Sequence, residues 1–100
     1  FNIQIIAVVN AHFDPELQSK QLRSLKLLEP DILISIPTDT KITSQAYHEI
    51  ASGKTKMIFM SNIPNGFKAN DYVAVFLSMS VLMEEILAGG LGENLRKIAI

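Results

Sequence analysis

The residues able to do chemistry gather just after three apolar runs. Asn10, His12, Phe13 and Asp14 follow the first, Ser35, Thr38 and Asp39 the second, and Ser61 and Asn62 the third. These are neutral amides, hydroxyls, a few carboxylates and one aromatic ring. Such a set can hydrogen-bond a polyol and stack on its apolar face. It contains no activated nucleophile and no phosphate cradle. Local structural roles compete for the same residues. Asp14 opens Asp14-Pro15-Glu16, a helix start with Asp as cap and Pro at the first helical position, so capping is its first reading. Asp39 serves equally well as cap or contact. Phe13 can staple its helix, and Asn62 can simply shape a turn. Tyr47 and Tyr72 read as core-edge residues rather than stacking platforms.

Other chemistries fail on spacing. Gly53-Lys54-Thr55 resembles the end of a P-loop, but the required earlier glycine position holds His48, and Gly53 closes a helix instead of opening one. Gly90-Leu91-Gly92 resembles a dinucleotide fingerprint, but its third glycine position holds Leu95. His12 and His48 lie on different elements without helical metal-ligand spacing, and His48 reads as solvent-facing. There is no Gly-x-Ser-x-Gly elbow. A phosphorylated receiver would need an acidic pair after the first strand, where Asn10 stands instead. No metal, no cofactor and no enzymatic activity are expected.

The elements that must position these residues follow from periodicity. The β-branched run Ile3–Val9 suits a strand covered on both faces, as in a parallel sheet. Leu22, Leu25 and Leu28 give the helix after Asp14 a buried face, and Pro30 stops it. Ile32–Ile36 is a second buried strand. Thr38, Asp39 or Thr40 can cap the next helix, in which Ile42, Ala46 and Ile50 share a face and Gly53 is the stop. Lys56–Met60 is a third strand, and Asn62 to Gly66 is turn chemistry. Tyr72–Phe76 is a short fourth strand. Met79, Leu82, Met83, Ile86 and Leu87 form a helical stripe capped by Ser78 or Ser80 and ended by Gly89-Gly90. Lys97–Ile100 begins a final strand. Strands and helices alternating over short loops predict a single α/β domain over residues 1–100: a three-layer α/β/α sandwich with a mainly parallel, Rossmann-like sheet.

Composition narrows the partners. Of 100 residues 48% are hydrophobic and 19% charged, which fits a globular domain with a real core. The net charge of −1 gives no electrostatic reason to expect nucleic acid. Without cysteine, disulfide frameworks, zinc ribbons and thiol nucleophiles are excluded. No apolar run approaches the roughly 18 residues of a membrane span. The chain opens on Phe1 and reads as processed or cut from something longer.

Ser35-Ile36-Pro37-Thr38-Asp39, Ala46-Tyr47, Gly53, Met57 through Pro64, Gly66-Phe67 and Asp71-Tyr72-Val73, together with Asn10 through Pro15, occur in an order and spacing that resembles the type I periplasmic sugar-binding protein family. These are substrate-binding components of sugar ABC importers, and they share their fold with effector domains of lac-repressor-like regulators. Within the family the likeness is nearest to importers of rhamnose-like or related monosaccharides. The resemblance implies two lobes closing on a sugar. This chain would match the N-terminal lobe from its second strand to its fifth, without the first strand and helix. The expected ligand contacts are Asn10 and Asp39, from their place at strand ends, and Ser61 and Asn62, which the resemblance also implies, Asn62 standing where the family often has Asn or Arg. Ser61 stands where the family often has Asp, and Ile36 falls where several relatives have a sugar-contacting Asn. Met79-Ser80 stands in the region of an Asp-Asn pair.

The expected function is therefore a carbohydrate-binding lobe of a solute-binding protein. Its partners would be a monosaccharide and, in the full-length protein, the membrane subunits of an ABC transporter. The expected location is the periplasm or a membrane-anchored extracellular lipoprotein. The alternatives are a cytoplasmic effector-sensing domain of a lac-repressor-like regulator, or a small α/β enzyme. In a flavodoxin-like order with the first strand missing, the runs Ile3–Val9 and Ile32–Ile36 would each leave an unpaired edge. The isolated chain is then expected to self-associate through exposed strand edges and to bind sugars weakly or not at all.

Overall fold

A computed structural model describes residues 4–72, 74–76, 79–87 and 97–100. Apolar runs and helix signals resolve there into β1 (Gln4–Ala7), α1 (Pro15–Leu27), β2 (Ile32–Ser35), α2 (Ser44–Ala51), β3 (Lys56–Met60), β4 (Ala74–Phe76), α3 (Met79–Leu87) and β5 (Lys97–Ala99). The strands form one five-stranded sheet in the order β1-β5-β2-β3-β4, and every pairing is parallel. This is a Rossmann-like α/β fold, as the alternation of elements predicts.

Side chains alternate across the sheet with the strand period of two. Leu33, Met57, Phe59 and Ala99 belong to a core closed by Leu22 and Leu25 of α1 and by Ala46, Tyr47 and Ile50 of α2. The intervening Ile32, Ile34, Ile58, Met60 and Ile98 form a second core with Leu82 of α3. Helices thus cover both faces, giving three layers. Each fully buried aliphatic side chain contributes roughly 1.5–3 kcal/mol. The sheet's middle strands carry most of that burial.

α1 starts where the sequence says. The Asp14 carboxylate accepts from the N–H groups of Glu16 and Leu17, and Pro15 occupies the first turn. α2 starts later than expected. Asp39 caps a turn rather than the helix, accepting from the N–H groups of Lys41 and Ile42. The helix itself begins at Ser44 with Thr43 as N-cap. Ile42 therefore lies outside the helix and is 52% exposed, while Ala46 and Ile50 are buried. Ser80 lies within α3 and is not its cap. Ser78 and Gly89-Gly90 lie outside the described residues.

Two expectations about strands are corrected. β1 is not covered on both faces: it is an edge strand with Gln4 and Ile5 exposed. The inner edges of β1 and β2 are not left unpaired either. β5 lies between them, pairing Ile5 with Ile98 on one side and Ile32 with Ile98 on the other. The amide of Ile100 donates to Ala7 and its carbonyl accepts from Val9, extending the seam. The last strand of the chain takes the interior place, between β1 and β2, that the resemblance reserves for an absent strand.

Candidate functional site

Parallel strands end on one rim, and loops leaving their carboxyl ends build the ligand sites of open α/β sheets. Here that rim carries a cavity of about 430 Å³. The β1–α1 loop supplies Asn10 to Phe13 and α1 supplies Gln18 and Gln21. The β2–α2 side supplies Ser35, Ile36 and Thr38. Among the described residues no Asp, Glu, Lys or Arg lines it. The walls are mostly aliphatic, and the polar groups are amides, hydroxyls and the His12 imidazole.

The β1–α1 loop is built around an unusual turn. The Asp14 N–H donates to the Ala11 carbonyl at 2.9 Å. The two residues between, His12 and Phe13, both have positive φ, 51° and 63°. This is the signature of a type I′ turn, which ordinarily takes Gly, Asn or Asp. A side chain in the left-handed region costs about 1–2 kcal/mol. Asn10 steadies the turn: its Oδ1 accepts from the His12 N–H at 2.8 Å, and its carbonyl accepts from Gln21 Nε2 at 2.9 Å. The turn turns the Phe13 ring outward, leaving it 94% exposed at the cavity mouth. The staple reading of Phe13 is thereby corrected, because a staple would be packed against the helix.

The four expected contact residues are divided. Asn10 lines the cavity. Its Oδ1 is occupied by the turn, while no bond engages its Nδ2 among the described residues. Asp39, Ser61 and Asn62 follow the ends of β2 and β3 on the same rim but do not line the cavity. The Asp39 carboxyl is held below the usual carboxylate range by the N–H of Ile42, then by that of Lys41. Asn62 Nδ2 donates to the Pro37 carbonyl at 3.3 Å, tying the β2 loop to the end of β3. Ser61 is exposed with φ 69°. Ile36 is 56% exposed and lines the cavity.

Gln18 is a working residue not singled out from sequence. Gln18 is buried, its Nε2 donating to the Ile36 carbonyl and its Oε1 accepting from Thr38. The signal was present: Gln18, Leu22 and Leu25 share one helical face, so a polar side chain on that face needs partners. Ser35 and Tyr47 hydroxyls lie 2.6 Å apart, and burial pushes the Tyr47 phenol up to about 12. Tyr47 stacks edge-on against Phe59, which also meets Phe67 and Tyr72. Both tyrosines pack rather than project, Tyr47 in the core itself.

His48 is half-buried and packed against a loop, not the simple solvent-facing side chain expected from sequence. Its ring lies 4.2 Å from that of Phe67, and its Nε2 meets the Asn65 carbonyl at 3.0 Å. A carbonyl only accepts, so Nε2 carries the proton there. Gly66 is required beside it, with φ +84° and only 2.9 Å between a Cβ and His48 Nε2.

Among the described residues no helix is long and apolar enough to cross a membrane. No protein-family model matches the chain, and no curated protein or solved structure matches it.

Proposed function

We propose that this chain is a carbohydrate-binding lobe of a solute-binding protein that feeds a sugar ABC transporter. The observation that carries the reading is the rim cavity, lined among the described residues by amides, hydroxyls, one imidazole and aliphatic groups without a carboxylate or ammonium, with the exposed Phe13 ring at its mouth. A neutral ligand with hydroxyls on its edge and C–H groups on its face suits such walls. An anionic ligand would find no Lys or Arg among the described lining residues to balance it. The resemblance supplies the transporter and the second lobe. One lobe makes only part of the contacts and excludes little water, so affinity for a monosaccharide is weak, with Kd of about 1 mM or above.

Amide chemical shifts of the chain, followed while pentoses, hexoses and deoxyhexoses are added, test this. Small progressive shifts confined to residues 10–13 and 35–38 are expected with at least one sugar. Absence of shifts with every sugar, or equal shifts with nucleotides or phosphate, overturns the reading.

A further inference from the structure

The turn between β3 and β4 brings together the groups of a self-modifying site. Phe67 N–H donates to the Pro64 carbonyl, and Gly66 sits third in the turn with φ +84°, as a type II turn requires. Asn65 is exposed, and its carboxamide has no hydrogen-bond partner among the described residues. The Gly66 N–H is likewise unengaged among them. The main chain of Asn65, in contrast, is the latch between this loop and α2. Its N–H donates to the Thr40 carbonyl at 2.9 Å. Its carbonyl accepts from Ser44 Oγ at 2.8 Å and from His48 Nε2 at 3.0 Å.

We propose that Asn65-Gly66 is a site of spontaneous deamidation whose isoaspartate product unlatches the β3–β4 loop from α2. The Gly66 nitrogen attacks the side-chain carbonyl carbon of Asn65 and closes a five-membered succinimide. The bond to Nδ2 breaks, and ammonia leaves with the proton that Gly66 gives up. Water then opens the ring at either carbonyl, giving aspartate or isoaspartate. Isoaspartate routes the main chain through the former side chain and adds one methylene between the Asn65 N–H and the next peptide unit. The former main-chain carbonyl becomes a pendant carboxylate, so the acceptor of Ser44 and His48 no longer leads to Gly66, and the added methylene displaces Gly66 and Phe67 from the turn that sets the Asn65 N–H against Thr40.

The other described asparagines lack these conditions. Asn10 precedes Ala11, Asn62 precedes the β-branched Ile63 and Asn70 precedes Asp71, so each following nitrogen is more hindered than that of Gly66. Asn10 and Asn62 also have their carboxamides engaged.

The test is to age the chain at mildly alkaline pH, map it by peptide mass, and label isoaspartate enzymatically. Asn65 is expected to gain about one dalton before Asn10, Asn62 or Asn70 changes, with isoaspartate detected there. Amide exchange at positions 65 and 67 is then expected to quicken by about tenfold in the aged chain. Asn65→Gln removes the five-membered closure but keeps all three latch bonds, because they are made by main-chain atoms of residue 65. Its exchange is expected to stay slow on ageing. Conversion at another asparagine with Asn65 intact overturns the site, and isoaspartate at 65 with unchanged exchange overturns the unlatching.

Discussion

The carboxamide oxygen of Gln18 accepts two hydrogen bonds from Thr38, one from its N–H at 2.9 Å and one from its hydroxyl at 3.1 Å. Its Nε2 meanwhile donates to the Ile36 carbonyl at 2.8 Å. One buried side chain on α1 thus fixes the loop leaving β2, which is the wall of the cavity opposite the strained turn. Gln18→Met fills similar volume but abandons three partners. It is expected to lower stability by about 2–3 kcal/mol in urea unfolding, and to speed amide exchange at Thr38. Gln18→Glu can still accept from Thr38 but sets a carboxylate against the Ile36 carbonyl. A loss under about 0.5 kcal/mol for Gln18→Met would show that the loop holds itself.

Phe13 combines a positive φ with near-complete exposure, so the folded chain gains little from its ring. Phe13→Gly is expected to raise stability by about 1 kcal/mol, since glycine adopts φ of 63° without strain. If the ring stacks on sugar, the same change abolishes the sugar-induced shifts at the rim. A variant that is more stable and still gives those shifts removes Phe13 from the site.

Tyr47 makes stability fall in alkali. Its phenol ionises near 10.0 when unconstrained and at about 12 in the fold, raised by burial and partly offset by the Ser35 hydrogen bond. Below pH 10 both states keep the proton and the contribution is complete. Between about pH 10 and 12 the unfolded chain loses its proton first, so stability declines, by up to roughly 3 kcal/mol. Melting temperature measured across that range is expected to fall less steeply for Tyr47→Phe than for the parent chain. At neutral pH the substitution costs about 1 kcal/mol, because the Ser35 hydroxyl loses its partner. Equal slopes in the two chains would remove Tyr47 as the cause.

The parts of this fold that are legible in sequence are those decided locally. Asp14-Pro15-Glu16 starts α1 because cap, fixed φ and dipole act within one turn. Lys56–Met60 is β3 to the residue, and the alternation of elements gives the parallel sheet. The place of β5 is not legible, because nothing within Lys97–Ala99 distinguishes a central strand from an edge. Its neighbours are Ile5, Ala7, Ile32 and Leu33, far away in sequence. The rim was legible in outline, since strand ends must share it, but not the division of its residues. Asn10 is drawn to the cavity by a turn whose His-Phe sequence carries no turn signal, whereas Asp39 is taken up by a local turn of its own. His48 escaped because its partners, Asn65 and Phe67, belong to a loop whose path depends on Gly66.

β1 pairs on one side with β5 and forms one edge of the sheet. Its residues Gln4-Ile5-Ile6-Ala7 carry no charge, Ile5 is 58% exposed, and Val8 just beyond is 67% exposed. Uncharged, apolar edges invite a second strand, and natural edges are commonly protected by lysine or proline. Self-association of the chain through this edge is therefore expected, despite the closed seam at β5. Ile5→Lys places a charge on the exposed edge and is expected to shift the species seen by light scattering toward monomer. Leu27→Lys, at an 83% exposed site near the end of α1, removes a comparable apolar side chain away from the edge and is expected to leave association unchanged. If the parent chain is monomeric at every concentration, β1 is not an association edge. If both lysine variants dissociate it alike, general surface hydrophobicity is the cause instead of strand pairing.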